Sequence, residues 1–227
     1  MIRRLTGVVW RPRSTMAAIV AHPTFLTAWA AVLFLWLVPA AWLLSTDVGR
    51  QALVDERVRL AENLGGSVDD EAYARLQAQP PVEVYAAGGG RYLLTPPLTL
   101  AVAAALMGLA RMDGASVGWR TGMAVTVHAS LVLALQQALT APLLFARESL
   151  GSPTSLAAVL PLVEEGTAAA RVLGTLDVFG LWWIWLLALG LAAATGRPAR
   201  RYTWRLLAAY LGVGLLMAAI VAVAGGS

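Results

Sequence analysis

The chain has 227 residues, 59% hydrophobic and 13% charged, with 17 basic residues against 13 acids, and a mean hydropathy of +0.68. A water-soluble domain carries roughly 25% charged residues, so a soluble fold is excluded, and the formal charge of +4 does not indicate nucleic-acid binding because the basic residues, all arginine, sit at the ends of apolar runs. With no cysteine, disulfides, thiolate metal sites and cysteine nucleophiles are also excluded.

The amino-terminal segment carries Arg3, Arg4, Arg11 and Arg13. It lacks the pattern of a cleaved signal peptide, because "PRSTMAAIVAHP" separates the charges from the first long apolar run. "STMAAIVAH" predicts a short amphipathic helix with Ser14 as N-cap and Pro23 beyond its end. With Trp10 and Arg11 beside it, this helix is placed in the headgroup layer, over residues 1–23. A plain charged leader to the first span is the alternative.

Thr24–Ser45 is the first of five stretches long and apolar enough to cross a hydrocarbon core, which takes about 20 residues. Residues 46–91 follow as the most polar part of the chain. "GRQALVDERVRLAENL" has apolar positions near helical period, and "DDEAYARLQAQ" opens with acids that suit the positive end of a helix. Two short helices separated by "LGGS" and closed by "QPP" and "AAGGG" are expected there, as solvated cover outside the membrane.

Tyr92–Met112 is the second stretch, opened by Pro96 and Pro97, and Thr121–Ala146 the third. Span three alone is polar inside, with Thr126, His128, Gln136, Gln137 and Thr140. His128 and Gln136 are separated by about 80° around a helix, and Thr140 by about 40° more, giving one broad stripe. Hydrogen bonding to neighbouring helices is the favoured role. A proton or solute path is the sharper alternative, but a path ordinarily recruits an acid at membrane depth, and no Asp or Glu falls inside any of the five stretches. Pro39 and Pro142 read as kinks that neighbouring helices accommodate.

The second outer loop, 147–175, contains "SPTSLAAVLP" and "LVEEGTAAARVL", moderately apolar pieces that lie on or dip into the interface. Its paired glutamates resemble the EExxxR motif of intramembrane proteases. Arg171 follows Glu165 by six residues, however, so the two lie on different helix faces. No HExxH or GxSxG occurs, so catalysis by these routes is rejected. The fourth stretch, Val178–Thr195, is preceded by Asp177, placed to cap the helix N-terminus where the dipole favours negative charge. Pairing of Asp177 with Arg171 or Arg147 is the functional alternative. Trp182, Trp183 and Trp185 read as an aromatic belt. Leu206–Ala224 is the fifth stretch.

Arginine placement orients the five. The amino-terminal segment, the short turn with Arg111 and Arg120, and the turn with Arg197, Arg200, Arg201 and Arg205 fall on one side. Of the 13 acids only Asp113 joins them. By the positive-inside rule that side is cytoplasmic, which puts the carboxyl-terminal "AGGS" outside.

"LDVFGLWWIWLLALGLAAATG" resembles the fourth-span signature of the Yip-one (Ypt/Rab-interacting protein) membrane protein family, prokaryotic branch. It matches in Leu176, Asp177, Phe179, Leu181 and Trp182, and then in Leu187, Gly190, Leu191 and Ala192. "SPTSLAAVLP", "GWRTGMAVTVHASLVLALQQAL" and "RPRSTMAAIVAHPTF" are similar to that branch's outer-loop segment, third span and amino-terminal helix. The resemblance implies five spans with a cytosolic amino terminus and implies no catalytic residues. Eukaryotic members are linked to Rab GTPases and carry a DLYGP-type stretch that is missing here, so GTPase binding is not implied.

The expectation is an all-α polytopic protein of a bacterial inner membrane. One domain spans residues 1–227, with five transmembrane helices, an amino-terminal interfacial helix and short helices in the outer loops. No enzyme activity, cofactor or metal site is expected. The expected partners are the lipid bilayer and other membrane proteins or a second copy, not nucleic acid. Adaptor, scaffold or lipid-organising work is favoured, with a small permease or transport-accessory subunit as the alternative. The candidate functional residues are His128, Gln136, Gln137, Thr140 and Asp177.

Overall fold

A computed structural model describes residues 2–63, 65–80, 94–148, 153–156, 173–174 and 176–225. In chain order the helices are α1 (Ile2–Trp10), α2 (Pro12–Ala21), α3 (Leu26–Leu44), α4 (Asp47–Asn63), α5 (Asp70–Gln77), α6 (Thr95–Met112), α7 (Trp119–Arg147), α8 (Val178–Thr195) and α9 (Ala199–Gly225). The β structure among the described residues is one isolated antiparallel bridge, Ser155 to Asp177. By length and apolarity α3, α6, α7 and α8 can each cross a membrane. The fifth apolar stretch lies within α9, which begins at its arginine-rich end.

The start of the chain departs from expectation. Its charged leader is itself helical, as α1, and α2 begins before Ser14. Arg11 occupies the N-cap position of α2 without a side-chain cap, and Pro12 stands in the first turn, where its fixed φ favours the helix and its missing N–H costs nothing. Ser14 therefore lies inside the helix, its hydroxyl donating back to the Arg11 carbonyl at 3.1 Å. Pro39 and Pro142 stand inside continuous helices. Pro96 and Pro97 fall in the first turn of α6.

Two compact units divide the described chain. In the first, Met16 and Ile19 of α2 are fully buried in one apolar core. Val32 of α3, Leu106 of α6, Val125 of α7, Leu187 of α8 and Tyr202 of α9 share it. Helix α2 thus packs into the protein as well as covering it. Gly190 lets α8 approach α7 closely, since a Cβ there would run into the Val125 side chain.

In the second unit Ala52, Leu53 and Val54 of α4 are buried, and Trp42 and Phe145 meet with ring centroids 5.5 Å apart. Helix α5 is capped by Asp69, whose carboxylate accepts from the Ala72 N–H at 2.7 Å, with Asp70 and Glu71 in its first turn as the dipole favours. The Tyr73 hydroxyl donates to Asp55 at 2.8 Å and accepts from Gln51 at 2.6 Å, fastening α5 to α4. The expected pieces "AAGGG", "SPTSLAAVLP" and "LVEEGTAAARVL" lie largely or wholly outside the described residues, as does the last residue of "QPP".

Candidate functional site

The densest charged constellation in the first unit is one that local sequence pattern left unassigned. Helix α6 ends in a Schellman turn: Gly114, at φ +74°, donates to the Arg111 carbonyl at 2.9 Å, and Ala115 donates to Ala110 at 3.0 Å. That turn holds Asp113 at the C-cap, its side chain completely buried. Arg201 donates to its Oδ1 at 2.5 Å and Arg205 at 3.0 Å, while Arg197 donates to its backbone carbonyl at 3.1 Å. The Oδ2 atom is buried without a partner.

Burial alone would push the Asp113 carboxyl up. The hydrogen bond from Arg205, with the charges of Arg201 and Arg205, outweighs it and holds the pKa below the ordinary value. The group is therefore an ionised clip between the turn after α6 and the start of α9. Tyr202, fully buried, extends the network by donating to Thr195 Oγ1 at 3.0 Å. A carboxylate held ionised by two guanidinium groups on one oxygen is a poor general base, so the arrangement fastens two turns and leaves its arginines partly exposed. Its one sequence signal is that Asp113 stands as the lone acid on the arginine-rich side.

The stripe on α7 is built differently. His128 is buried and its Nδ1 lies 2.8 Å from the Ala124 carbonyl of its own helix. The Gln137 side-chain Nε2 and the Thr126 hydroxyl are buried without a hydrogen-bond partner among the described residues. Gln136 is half-buried, and Thr140 is buried in the second unit. A cavity of about 210 Å³ opens beside Thr126, Ser130, Thr99, Trp36, Val32 and Trp183. Its Thr99 and Ser130 hydroxyls are already bonded to the carbonyls of Thr95 and Thr126, at 2.8 and 2.9 Å. His128 and the glutamines do not line it.

Asp177 belongs to the second unit, directly before α8. The Thr154 hydroxyl donates to its carboxylate at 2.5 Å, and the neighbouring Leu156 N–H donates to the Leu176 carbonyl at 2.7 Å. Arg171, one of its two alternative partners, lies outside the described residues. Trp182, Trp183 and Trp185 are half-buried and pack against the core of the first unit, more than an outward-facing belt would. No group of three His, Asp or Glu that could hold a metal ion occurs among the described residues.

Apolar membrane-length helices, closely packed through small residues and fastened at a charged turn, define a multi-pass membrane protein. The chain belongs to the Yip1 domain family, whose model matches residues 6–222. That is not a known enzyme family. No curated protein and no solved structure shows significant similarity to the chain.

Proposed function

We propose that the chain is a non-catalytic membrane protein of the prokaryotic Yip branch. In this reading its single domain, residues 1–227, crosses a bacterial inner membrane five times, with the amino terminus cytoplasmic and the carboxyl terminus outside. It works through its surfaces, as an adaptor or scaffold for membrane proteins or in organising lipids. The observation that carries the topology is the clip at Asp113. It joins the turn between spans two and three to the turn between spans four and five, as two turns on one side of the membrane require. Helices α4 and α5 are then the extracytoplasmic cover.

Support for a non-catalytic role comes from where the polar groups are. The acids in the sequence lie outside the apolar stretches, and His128 is hydrogen-bonded within its own helix. The permease reading draws on the unpartnered Thr126 hydroxyl beside the cavity of about 210 Å³. Reconstituted vesicles and co-purification from native membranes separate the two. A scaffold brings down a stoichiometric partner and gives background solute flux, with His128→Leu and Gln136→Leu altering stability or assembly alone. Solute flux abolished by those substitutions would overturn it.

A further inference from the structure

Helices α1 and α2 line an open cleft of about 550 Å³ whose walls include Arg4, Thr6, Trp10, Arg11, Ser14 and Ala18. Its charge is uncompensated. No acid precedes Asp47 in the sequence, and neither Arg4 nor Arg11 has an ion-pair partner among the described residues. The two arginines nevertheless differ in freedom. Arg4 is held by Nη1, which donates to the His22 carbonyl at 3.0 Å and to the Thr24 hydroxyl at 3.3 Å. The rest of its guanidinium remains available at a fixed place, which lowers the ordering cost of binding an anion. Arg11 stands at the N-cap of α2, where no side chain caps the free backbone N–H groups and the dipole favours an anion. A basic side chain there is electrostatically mismatched until an anion arrives.

We propose that this cleft binds the phosphate of an anionic phospholipid headgroup. Two guanidinium groups match phosphate geometry with paired N–H donors, and the Ser14 hydroxyl oxygen keeps acceptor capacity for a headgroup hydroxyl. The phosphate belongs to a lipid and not to a soluble ligand because of what flanks it. Trp10, on the cleft wall, is 81% exposed, an amphipathic ring of the kind that anchors at the membrane interface. Helix α3, which carries no charged residue, begins only a few residues after α2 ends. The proposal rests on the lipid-organising side of the reading above and gives it a specific lipid contact.

The test is native mass spectrometry of the full-length protein in mild detergent, supplied with phosphatidylglycerol or phosphatidylcholine. Arg4→Gln with Arg11→Gln removes both sets of paired N–H donors from the cleft and should lower phosphatidylglycerol retention about 10-fold or more. Arg13→Gln removes the same charge two residues away, outside the cleft, and should leave retention near wild type. Ala18→Phe fills the cleft without altering charge and should also abolish the preference, which keeps the test informative if the arginine variants fold poorly. Equal loss in Arg13→Gln, equal retention of the two lipids, or full retention in Ala18→Phe would overturn the proposal. So would displacement of phosphatidylglycerol by inorganic phosphate at matched ionic strength, which would assign the cleft to a soluble anion. A flux signal in vesicles would contradict the scaffold reading while leaving these lipid counts unaffected.

Discussion

Asp113 illustrates how much one side chain can fix. Its carboxylate neutralises part of an arginine cluster that would otherwise repel itself across two turns. Asp113→Asn keeps the shape and removes the charge, so it should lower the thermal unfolding midpoint in detergent more than Arg201→Gln does, because Arg205 still pairs with the acid in the latter. The acid dependence follows from the direction of the pKa shift. A carboxyl held below its ordinary value of 3.8 in the folded protein contributes stability fully above that value. The contribution is lost as pH falls below it toward the folded pKa. Wild type should therefore lose stability on acidification below about pH 4 by a larger margin than Asp113→Asn, measured by thermal melts across pH. The presence of Asp113 among arginines was legible in the sequence. Its partners were not, because they lie 84 to 92 positions away and no local periodicity encodes such a pairing. His128, in contrast, stood out locally as a polar residue in an apolar run, but its bond is to Ala124 of its own helix and not to a neighbouring helix as expected.

At the scale of elements, apolar length was the dependable signal. Helices α3, α6, α7 and α8 fall where uninterrupted hydrophobicity placed them, because a membrane-length run leaves little freedom in period or register. Ends were less readable. The start of α2 was set by Pro12, whose fixed φ prevailed over the capping preference of Ser14. Helix α1 leaves no comparable signal, since its nine residues carry two arginines and no acid in the first turn. Contacts between helices depended on single small residues that composition does not single out. Gly190 is the clearest case: Gly190→Ala should destabilise the protein by about 1–3 kcal/mol, because its new methyl meets Val125. Val125→Ala should recover most of that loss in the double mutant, and a double-mutant cycle in detergent unfolding measures the coupling. Additive losses would place the α7–α8 contact elsewhere.

For the molecule as a whole, membership of the Yip1 domain family and the clip between the turns after α6 and before α9 bear on the same question, the number and direction of crossings. Five crossings require the turn at 113–118 and the carboxyl-terminal residues to face opposite sides. The chain contains no cysteine, so single introduced thiols report position without background. Ser116→Cys and Ser227→Cys, each labelled in intact cells or sealed vesicles with a membrane-impermeant maleimide, test this most directly. The expected result is labelling of Ser227→Cys from the outside and of Ser116→Cys only after the cytoplasmic side is opened. Labelling of both from the same side would contradict the five-crossing account and the adaptor function built on it.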